Sequence, residues 1–315
     1  MGTFATVRVP GHAPEDLGLC ADTTCDTFAR LEQTLSIYAP ESDIARLNRA
    51  AGNAPVPVPA AAREVLSLAV QYAERSQGAF DPTVTPLLRL WGFSGGTTPE
   101  QPPDPAAIHR TLQLVGYRHL VLTNGTAGLT RAGMAVDLGG IAKGYAVDVA
   151  FRAVKAQIGA GFLIDLGGNI RCRGQAQPGR PWTIGVRNPF DREQLLGTIR
   201  LPDDFAVATS GNYERFVTIG GRRYAHILDP RTGLPVEGMA GVSVLAPTAA
   251  EADALSTALF VLGPDRSRSI LAGRPACEAL FVPDQTPVEL WITPGLRDHF
   301  TAAPEHAGSV CVLSP

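Results

Sequence analysis

Apolar residues recur at helical spacing in several separate stretches of this chain. Steps of three and four residues run from Leu17 to Leu35, which predicts a long amphipathic helix. The same spacing, with capping residues at the ends, predicts helices over residues 43–48, 60–76 and 105–116. Each of these helices has one apolar face and therefore packs against a core.

Shorter apolar runs bounded by Gly, Pro or Asn predict strands. Asn124-Gly125 and Gly220-Gly221 each separate two such runs, which predicts two-residue hairpin turns. Further strands are predicted near residues 170–174, 182–187, 197–201, 205–210, 279–282 and 288–292. The chain is therefore expected to contain both helices and strands.

Composition narrows the class of protein. The 315 residues suggest two domains or one large duplicated one. The 45% hydrophobic and 18% charged content, with a formal net charge of −3, is typical of a globular protein. No basic stretch resembles a nucleic-acid-binding surface, and the apolar runs are too short to span a membrane. The five cysteines form no C-x-x-C pair, which argues against zinc ribbons and disulfide scaffolds and favours core positions.

The sequence D-L-G-G occurs twice, each time after a short apolar run. The first copy, Asp137 to Gly140, leads into a helical pattern that ends near Gly159, and the second copy spans Asp165 to Gly168. A strand, a glycine pair and a helix start in succession predict an anion site, because free backbone N–H groups and the positive end of the helix dipole point the same way.

Lys143 lies in the first turn of the helix that follows the first copy. A cation there opposes the helix dipole, which costs about 0.3 to 1 kcal/mol unless an anion lies nearby. A phosphate would remove that cost, so Lys143 is a candidate phosphate ligand. The alternative is a buried strand-to-helix turn with a solvated lysine.

Two Asp-Pro turns supply further candidates. Asp81 precedes Pro82 and is a turn former first, and a ligand contact if a site lies nearby. The segment Asp229–Gly233 has the residues of a β-turn. His226, shortly before it, either projects into a cleft or is a hydrogen-bonded histidine of the sheet.

A helix is predicted after Thr248, which begins the capping box T-A-A-E that Glu251 completes. Asp253 and Thr257 are four residues apart and share one face of this helix. A carboxylate and a hydroxyl on one face suit a hard cation such as Mg²⁺, which takes oxygen ligands and recruits phosphates of the substrate. The same spacing also arises by chance.

Eight segments together resemble the ApbE family, the FAD:protein FMN transferases. In chain order they are M-G-T, L-S-I-Y-A-P-E-S-D-I-A-R-L-N, G-A-F-D-P-T, V-D-L-G-G-I-A-K-G-Y-A-V-D, D-L-G-G-N, A-T-S-G-N-Y-E-R, H-I-L-D-P-R-T-G and E-A-D-A-L-S-T-A. The matches extend from Met1 to about Gly263. This resemblance implies an α+β fold built from a duplicated sheet-and-helix unit related to the T-fold, with FAD in the cleft between the halves. Residues 1–263 would form two packed halves of the flavin transferase core, and residues 264–315 would complete the same domain.

The resemblance also implies the residues of the site. FAD contacts are expected at Met1, Tyr38, Ala79, Phe80, Asp81, Asp137, Lys143 and Ile227. Mg²⁺ would be held by the backbone carbonyl of Gly140 and by Asp253 and Thr257. His226 would accept the proton of the attacking hydroxyl, with Asp229 as the next candidate base.

The activity that the resemblance implies is Mg²⁺-dependent cleavage of FAD, which releases AMP and leaves FMN on a Ser or Thr of an acceptor protein. The alternatives are an FAD pyrophosphatase, with water as the acceptor, and a non-catalytic FAD-binding protein. Family members are commonly exported lipoproteins with a lipidated cysteine upstream, whereas the opening M-G-T-F-A-T-V-R-V-P has no signal-peptide pattern. The expectation is a cytoplasmic protein, or an exported one whose signal has been removed.

Overall fold

The computed structural model describes residues 2–11, 14–94, 99–159, 161–213 and 215–314. Within these residues the α-helices are α1 (Pro14–Leu35), α2 (Asp43–Arg49), α3 (Ala60–Arg75), α4 (Thr85–Leu90), α5 (Pro105–Leu112), α6 (Ala142–Lys155) and α7 (Ala249–Ala272). The strands are β1 (Ala5–Arg8), β2 (Val56–Pro57), β3 (Leu120–Thr123), β4 (Thr126–Leu129), β5 (Phe162–Leu166), β6 (Asn169–Arg173), β7 (Gln175–Gln177), β8 (Arg180–Pro181), β9 (Thr183–Arg187), β10 (Leu195–Arg200), β11 (Ala206–Gly211), β12 (Phe216–Ile219), β13 (Arg222–Ala225), β14 (Leu228–Asp229), β15 (Leu234–Pro235), β16 (Met239–Ala246), β17 (Glu278–Pro283), β18 (Leu290–Ile292), β19 (Phe300–Ala302) and β20 (Val310–Val312).

The chain divides into two compact units. The first comprises Met1–Ala29, Lys143–Gly211 and Gly238–Pro315, and the second comprises Arg30–Ala142 and Asn212–Glu237. The mixture of helices and strands confirms the predicted α+β class. The prediction of a 1–263 core that residues 264–315 complete stays a prediction.

An eight-stranded sheet forms the centre of the first unit, in the order β1-β5-β6-β11-β16-β17-β18-β20. Every neighbouring pair is antiparallel except β18 and β20. All eight residues of β16 are buried. Helix α7 packs against β11 and β16, and residues of the three-stranded sheet β19-β10-β9, such as Leu196 and Ile199, share a core with Leu245. A strand covered on both faces reads as a continuous apolar run, as β16 does.

The second unit holds α2 to α5, the small sheet β2-β4-β3 and two hairpins, β12-β13 and β14-β15. Its core includes Leu87, Trp91 and Leu228. The Trp91 indole N–H donates to the Gly233 carbonyl at 2.8 Å. A Cβ at Gly233, whose φ is 75°, would lie 2.6 Å from the Ile108 side chain. The turn that follows His226 is therefore anchored on the core by a residue that must be glycine.

The predicted strand before the first D-L-G-G copy is wrong. Residues 134–138 are buried apart from the half-buried Asp137, but they form no strand. The Asn48 side chain satisfies the Val136 backbone instead, accepting from its N–H at 2.7 Å and donating to its carbonyl at 2.9 Å. The Asp137 N–H donates to the Pro82 carbonyl at 2.8 Å. A side-chain amide replaces a neighbouring strand here, which an apolar run does not reveal.

Other details also differ from the predictions. Helix α6 ends at Lys155, short of Gly159. Thr248 caps α7 as predicted, but the Glu251 carboxylate pairs with Arg274. Three cysteines are buried as expected, whereas Cys25 and Cys311 are exposed. None of the described helices is both long and apolar enough to cross a membrane.

Candidate functional site

The first D-L-G-G copy forms the start of α6. Asp137 Oδ1 accepts from the Gly139 N–H at 2.7 Å, and the Ala142 N–H donates to the Leu138 carbonyl at 2.7 Å. These bonds turn the chain into the helix, which begins at Ala142. Lys143 therefore lies in the first helical turn, as predicted.

The second copy has a different structure, a two-residue hairpin turn between β5 and β6. Gly167 and Gly168 have φ values of 59° and 85°, and Leu166 pairs with Asn169 across the turn. Two positive φ values are the requirement of a type I′ turn, which glycine meets without strain. Asp165 Oδ1 accepts from the Gly168 N–H at 2.8 Å, and burial raises the pKa of Asp165. The turn delivers Asn169, which is 3% exposed, to the start of β6.

Lys143 and Asp253 form an ion pair in the first unit. Lys143 Nζ lies 3.3 Å from Asp253 Oδ1 and 3.5 Å from Oδ2. The Asp253 side chain is 6% exposed and that of Lys143 is 27% exposed. The Gly144 N–H donates to Asp253 Oδ2 at 3.0 Å, so the carboxylate also caps the start of α6. The solvated lysine of the alternative interpretation is thus not what the fold contains.

Asn169 contacts both members of this ion pair. In the amide orientation that satisfies its neighbours, Nδ2 lies 3.2 Å from Asp253 Oδ1 and Oδ1 lies 3.3 Å from Lys143 Nζ. The sequence does not predict this residue as part of the site, although it directly follows the second D-L-G-G copy. The available clue was the polar residue after the second glycine pair, where the first copy has Ile141.

Thr257 lies one turn after Asp253 on the same face of α7. Its Oγ1 donates to the Asp253 carbonyl at 3.3 Å and lies 3.3 Å from Ser210 Oγ. Asp253 and Thr257 thus place a buried carboxylate next to a hydroxyl oxygen, and the carboxylate already binds the Lys143 ammonium. Oxygen donors of this kind fit a hard cation. Gly140, the third predicted ligand, lies half-buried in the turn before α6.

The described residues contain no group of three or more His, Cys, Asp or Glu side chains that could hold a metal ion. The predicted set contains one carboxylate, one hydroxyl and one backbone carbonyl. The metal assignment therefore depends on the chemistry of these three oxygens and stays a prediction.

His226 is half-buried in the second unit, directly after β13. Its Nδ1 lies 3.0 Å from the Arg215 carbonyl, and its backbone N–H donates to the same oxygen at 3.2 Å. A carbonyl only accepts, so in the neutral ring Nδ1 carries the proton and Nε2 has the lone pair. This tautomer, assigned from the hydrogen bond, is the one that a base at Nε2 requires.

Asp229, the other candidate base, is engaged by Arg231. The guanidinium Nε and Nη2 lie 2.8 Å from Oδ1 and Oδ2, and the Arg231 N–H donates to Oδ1 at 2.9 Å. This bidentate pair raises the pKa of Arg231. Both oxygens of Asp229 are thus already engaged by Arg231, which leaves His226 as the better candidate.

The predicted FAD contacts of the second unit fall into two kinds. Ala79, Phe80, Asp81 and Ile227 are buried. The Asp81 carboxylate accepts from the Thr83 N–H at 2.8 Å, from the Thr83 hydroxyl at 2.6 Å and from the Tyr117 N–H at 2.9 Å. Burial raises the pKa of Asp81, although these hydrogen bonds lower it in part. Asp81 thus has the structural role of a turn former, and a flavin contact there would involve the backbone.

Tyr38 is the exposed member of the predicted set, at 67%. It lines a cavity of about 330 Å³ together with Ile37, Asn48, Arg49 and Arg89. An exposed aromatic ring beside two arginines suits a planar, anionic ligand. Met1 lies outside the described residues.

Known proteins resemble this chain over most of its length. The sequence model of the ApbE family matches residues 1–281. A protein of Klebsiella pneumoniae (strain 342) named FAD:protein FMN transferase is 32% identical over 305 residues, which cover 94% of this chain and 86% of that protein. A protein of the same name from Treponema pallidum (strain Nichols) is 36% identical over 305 residues, which cover 90% and 83%.

Solved structures agree with the sequence similarities. The structure described as flavin transferase ApbE from Vibrio cholerae matches with a TM-score of 0.83 at 28% identity, covering 95% of this chain and 96% of that one. The ApbE protein of Thermotoga maritima matches with a TM-score of 0.81 at 34% identity, covering 91% and 93%.

Proposed function

The chain belongs to the ApbE family and is a flavin transferase, and we propose that it moves FMN from FAD to a Ser or Thr hydroxyl of an acceptor protein in a Mg²⁺-dependent reaction that releases AMP. The observation that supports this most directly is the ion pair of Lys143 and Asp253, with the Thr257 hydroxyl on the same helical face. It combines a cation for phosphate oxygens with oxygen ligands for a metal.

We assign the metal ligands to Asp253, Thr257 and the Gly140 carbonyl. The Asp253 carboxylate has about four lone-pair positions; the N–H groups of Gly144 and Asn169 use two of them, and the Lys143 ammonium lies within 3.5 Å of both oxygens. A metal ion would therefore share this carboxylate with the Lys143 ammonium. When bound, Mg²⁺ supplies positive charge that neutralises the pyrophosphate oxygens.

Lys143 contributes a second positive charge to the same region. Its position in the first turn of α6 is unfavourable with respect to the helix dipole, and the contacts with Asp253 and Asn169 offset that. An ammonium held in this way is directed toward a phosphate without having to be ordered at the moment of reaction.

His226 is assigned as the general base. The acceptor hydroxyl attacks the phosphorus of the FMN half of FAD, its proton passes to His226 Nε2, and the bond to the AMP phosphate breaks. FAD and the protein hydroxyl thus become protein-linked FMN and AMP. The Arg215 carbonyl fixes the ring and stabilises the imidazolium that forms.

FAD itself is assigned contacts with Tyr38, Asp137, Lys143 and the backbone of residues 79–81 and 227. Tyr38 offers an exposed ring for stacking, and the buried side chains of residues 79–81 hold their backbone in place. Within the second unit the Asp137 N–H donates to the carbonyl of Pro82, the residue that follows segment 79–81.

The test is incubation of the purified chain with FAD, MgCl₂ and candidate acceptor proteins from the same genome. Flavin fluorescence that stays on the acceptor in a denaturing gel, with equimolar AMP, is the expected result. AMP and free FMN without a labelled protein would indicate the pyrophosphatase, and FAD that stays intact with every acceptor would contradict the proposal.

A further inference from the structure

Asn169 lies between two opposite charges at the site. Its amide donates toward Asp253 Oδ1 at 3.2 Å and accepts from Lys143 Nζ at 3.3 Å. An amide has both a donor and an acceptor end, so it satisfies a carboxylate and an ammonium at once. A carboxylate of the same shape cannot donate to Asp253, and an aliphatic side chain satisfies neither neighbour.

The position of this amide is set by the backbone. Asn169 follows the two positive-φ glycines of the β5-β6 turn, and Asp165 closes that turn through the Gly168 N–H. A Cβ at Gly167 would lie 2.5 Å from Thr3 Oγ1, so the turn is also packed tightly from outside. The residue after the turn is therefore held firmly.

The arrangement addresses a conflict between two cations. The Lys143 ammonium lies within 3.5 Å of both Asp253 oxygens, where a metal ion would also bind. Two cations that share one carboxylate repel each other. The Asn169 carbonyl gives the ammonium a second, neutral acceptor, so that Lys143 can stay in place when Asp253 binds a metal.

We propose that Asn169 is a positioning residue for flavin transfer, which holds Asp253 toward Mg²⁺ and Lys143 toward the FAD pyrophosphate. This inference rests on the proposed function. It assigns the second D-L-G-G copy, together with the residue that follows it, a role in the site. A purely structural role is the competing explanation, because Asn169 Nδ2 in its other orientation lies 3.5 Å from the Leu166 carbonyl within the turn.

The experiment compares Asn169→Ala and Asn169→Asp with the wild type. Mg²⁺ is titrated calorimetrically into each protein, and FAD affinity is measured in EDTA by quenching of flavin fluorescence. Asn188 provides the matched control, since it is 4% exposed in the same unit and accepts from the Phe190 N–H at 3.0 Å. Asn188→Ala and Asn188→Asp report the effect of changing a buried turn asparagine, and thermal unfolding in EDTA checks each fold.

The two Asn169 variants are expected to move Mg²⁺ affinity in opposite directions. Asn169→Ala should weaken Mg²⁺ binding by about tenfold or more, as for other residues that orient a metal ligand. Asn169→Asp should tighten it, because a second carboxylate beside Asp253 is relieved by a cation. Both should weaken FAD binding, the first by releasing Lys143 and the second by neutralising it, whereas the Asn188 variants should change neither affinity.

Wild-type affinities for Mg²⁺ and FAD in both Asn169 variants would overturn the inference. If Asp253→Asn still abolished Mg²⁺ binding in that case, the proposed function would stand without it. Lowered unfolding temperatures with unchanged affinities would establish the structural role instead. If the wild type itself showed no Mg²⁺ binding, the metal site would fail, and the inference would fail with it.

Discussion

Asp148 and Asp253 cap the first turns of each other's helices. Asp148 on α6 accepts from the Ala249 and Ala250 N–H groups of α7, each at 2.9 Å, and Asp253 on α7 accepts from the Gly144 N–H of α6 at 3.0 Å. Each carboxylate satisfies N–H groups that a helix leaves without an internal partner. This exchange fixes the position of Asp253 relative to Lys143.

Asp148→Asn should destabilise the protein strongly. Asp148 is 3% exposed and also pairs with Arg171 at 2.6 Å, so the substitution leaves a nearly buried guanidinium without its counter-charge. Removing one partner of such a pair lowers the free energy of unfolding by about 3 to 5 kcal/mol. Urea denaturation measures the change. Asp265→Asn breaks an exposed pair with Arg268 and should change stability by less than about 1 kcal/mol.

Gly144→Ala should damage the same helix crossing. A Cβ at Gly144 would lie 2.1 Å from the Ala249 carbonyl oxygen, so α6 and α7 would have to separate. A loss of about 1 to 3 kcal/mol is expected from overpacking of this kind, together with weaker Mg²⁺ binding as Asp253 shifts. Gly18 in α1 has open space around its Cβ position, so Gly18→Ala should be neutral or stabilising. Equal changes in the free energy of unfolding for Gly144→Ala and Gly18→Ala would refute the close approach of α6 and α7 at Gly144.

His226→Ala should retain FAD binding but reduce transfer by about 10² to 10⁴-fold, the usual contribution of a general base. The rate of transfer is measured from AMP release at fixed times, and FAD affinity is measured in parallel. His299 is a suitable control, because its Nδ1 likewise lies 3.1 Å from a backbone carbonyl, that of Arg200. Transfer at the wild-type rate in His226→Ala would show that the base lies elsewhere, with Asp229 the next candidate.

Stability should depend on pH through Asp81. Burial raises the folded-state pKa of Asp81 above its ordinary value of 3.8, so the folded protein retains this proton more readily than the unfolded chain. The contribution of protonated Asp81 to the free energy of unfolding is therefore fully present below pH 3.8. It is lost as the pH rises through the folded-state pKa of Asp81. The free energy of unfolding of Asp81→Asn, relative to that of the wild type, should increase as the pH rises from about 4. A stability difference that does not vary with pH would contradict the shift.

Much of the fold follows from local patterns in the sequence. Ser42 and Asp104 cap α2 and α5 as their positions predict, and Asn124-Gly125 forms the hairpin turn between β3 and β4. Such features depend on residues that are neighbours in sequence. The strand predicted before the first D-L-G-G copy is wrong, because Asn48, which hydrogen-bonds the Val136 backbone, lies far away in the chain.

The sequence predicts the functional site less completely than the fold, because the site's residues are distant from one another in the chain. The sequence predicts Lys143 and Asp253 as site residues, but it does not predict their direct contact, because they are more than a hundred positions apart. The two D-L-G-G copies are identical in sequence, yet one begins a helix and the other turns a hairpin. Local sequence does not distinguish these outcomes, because the surrounding tertiary structure decides which conformation the glycines adopt.

The proposal that Asp253 binds the metal on which flavin transfer depends is tested most directly with Asp253→Asn. This variant keeps an oxygen that can accept from the Gly144 N–H but lacks the negative charge. AMP release from FAD is measured against MgCl₂ concentration. The account predicts a rate lower by about two to three orders of magnitude, as when a charge-stabilising group is removed, and no response to Mg²⁺. A folded Asp253→Asn protein with the rate and Mg²⁺ dependence of the wild type would contradict it.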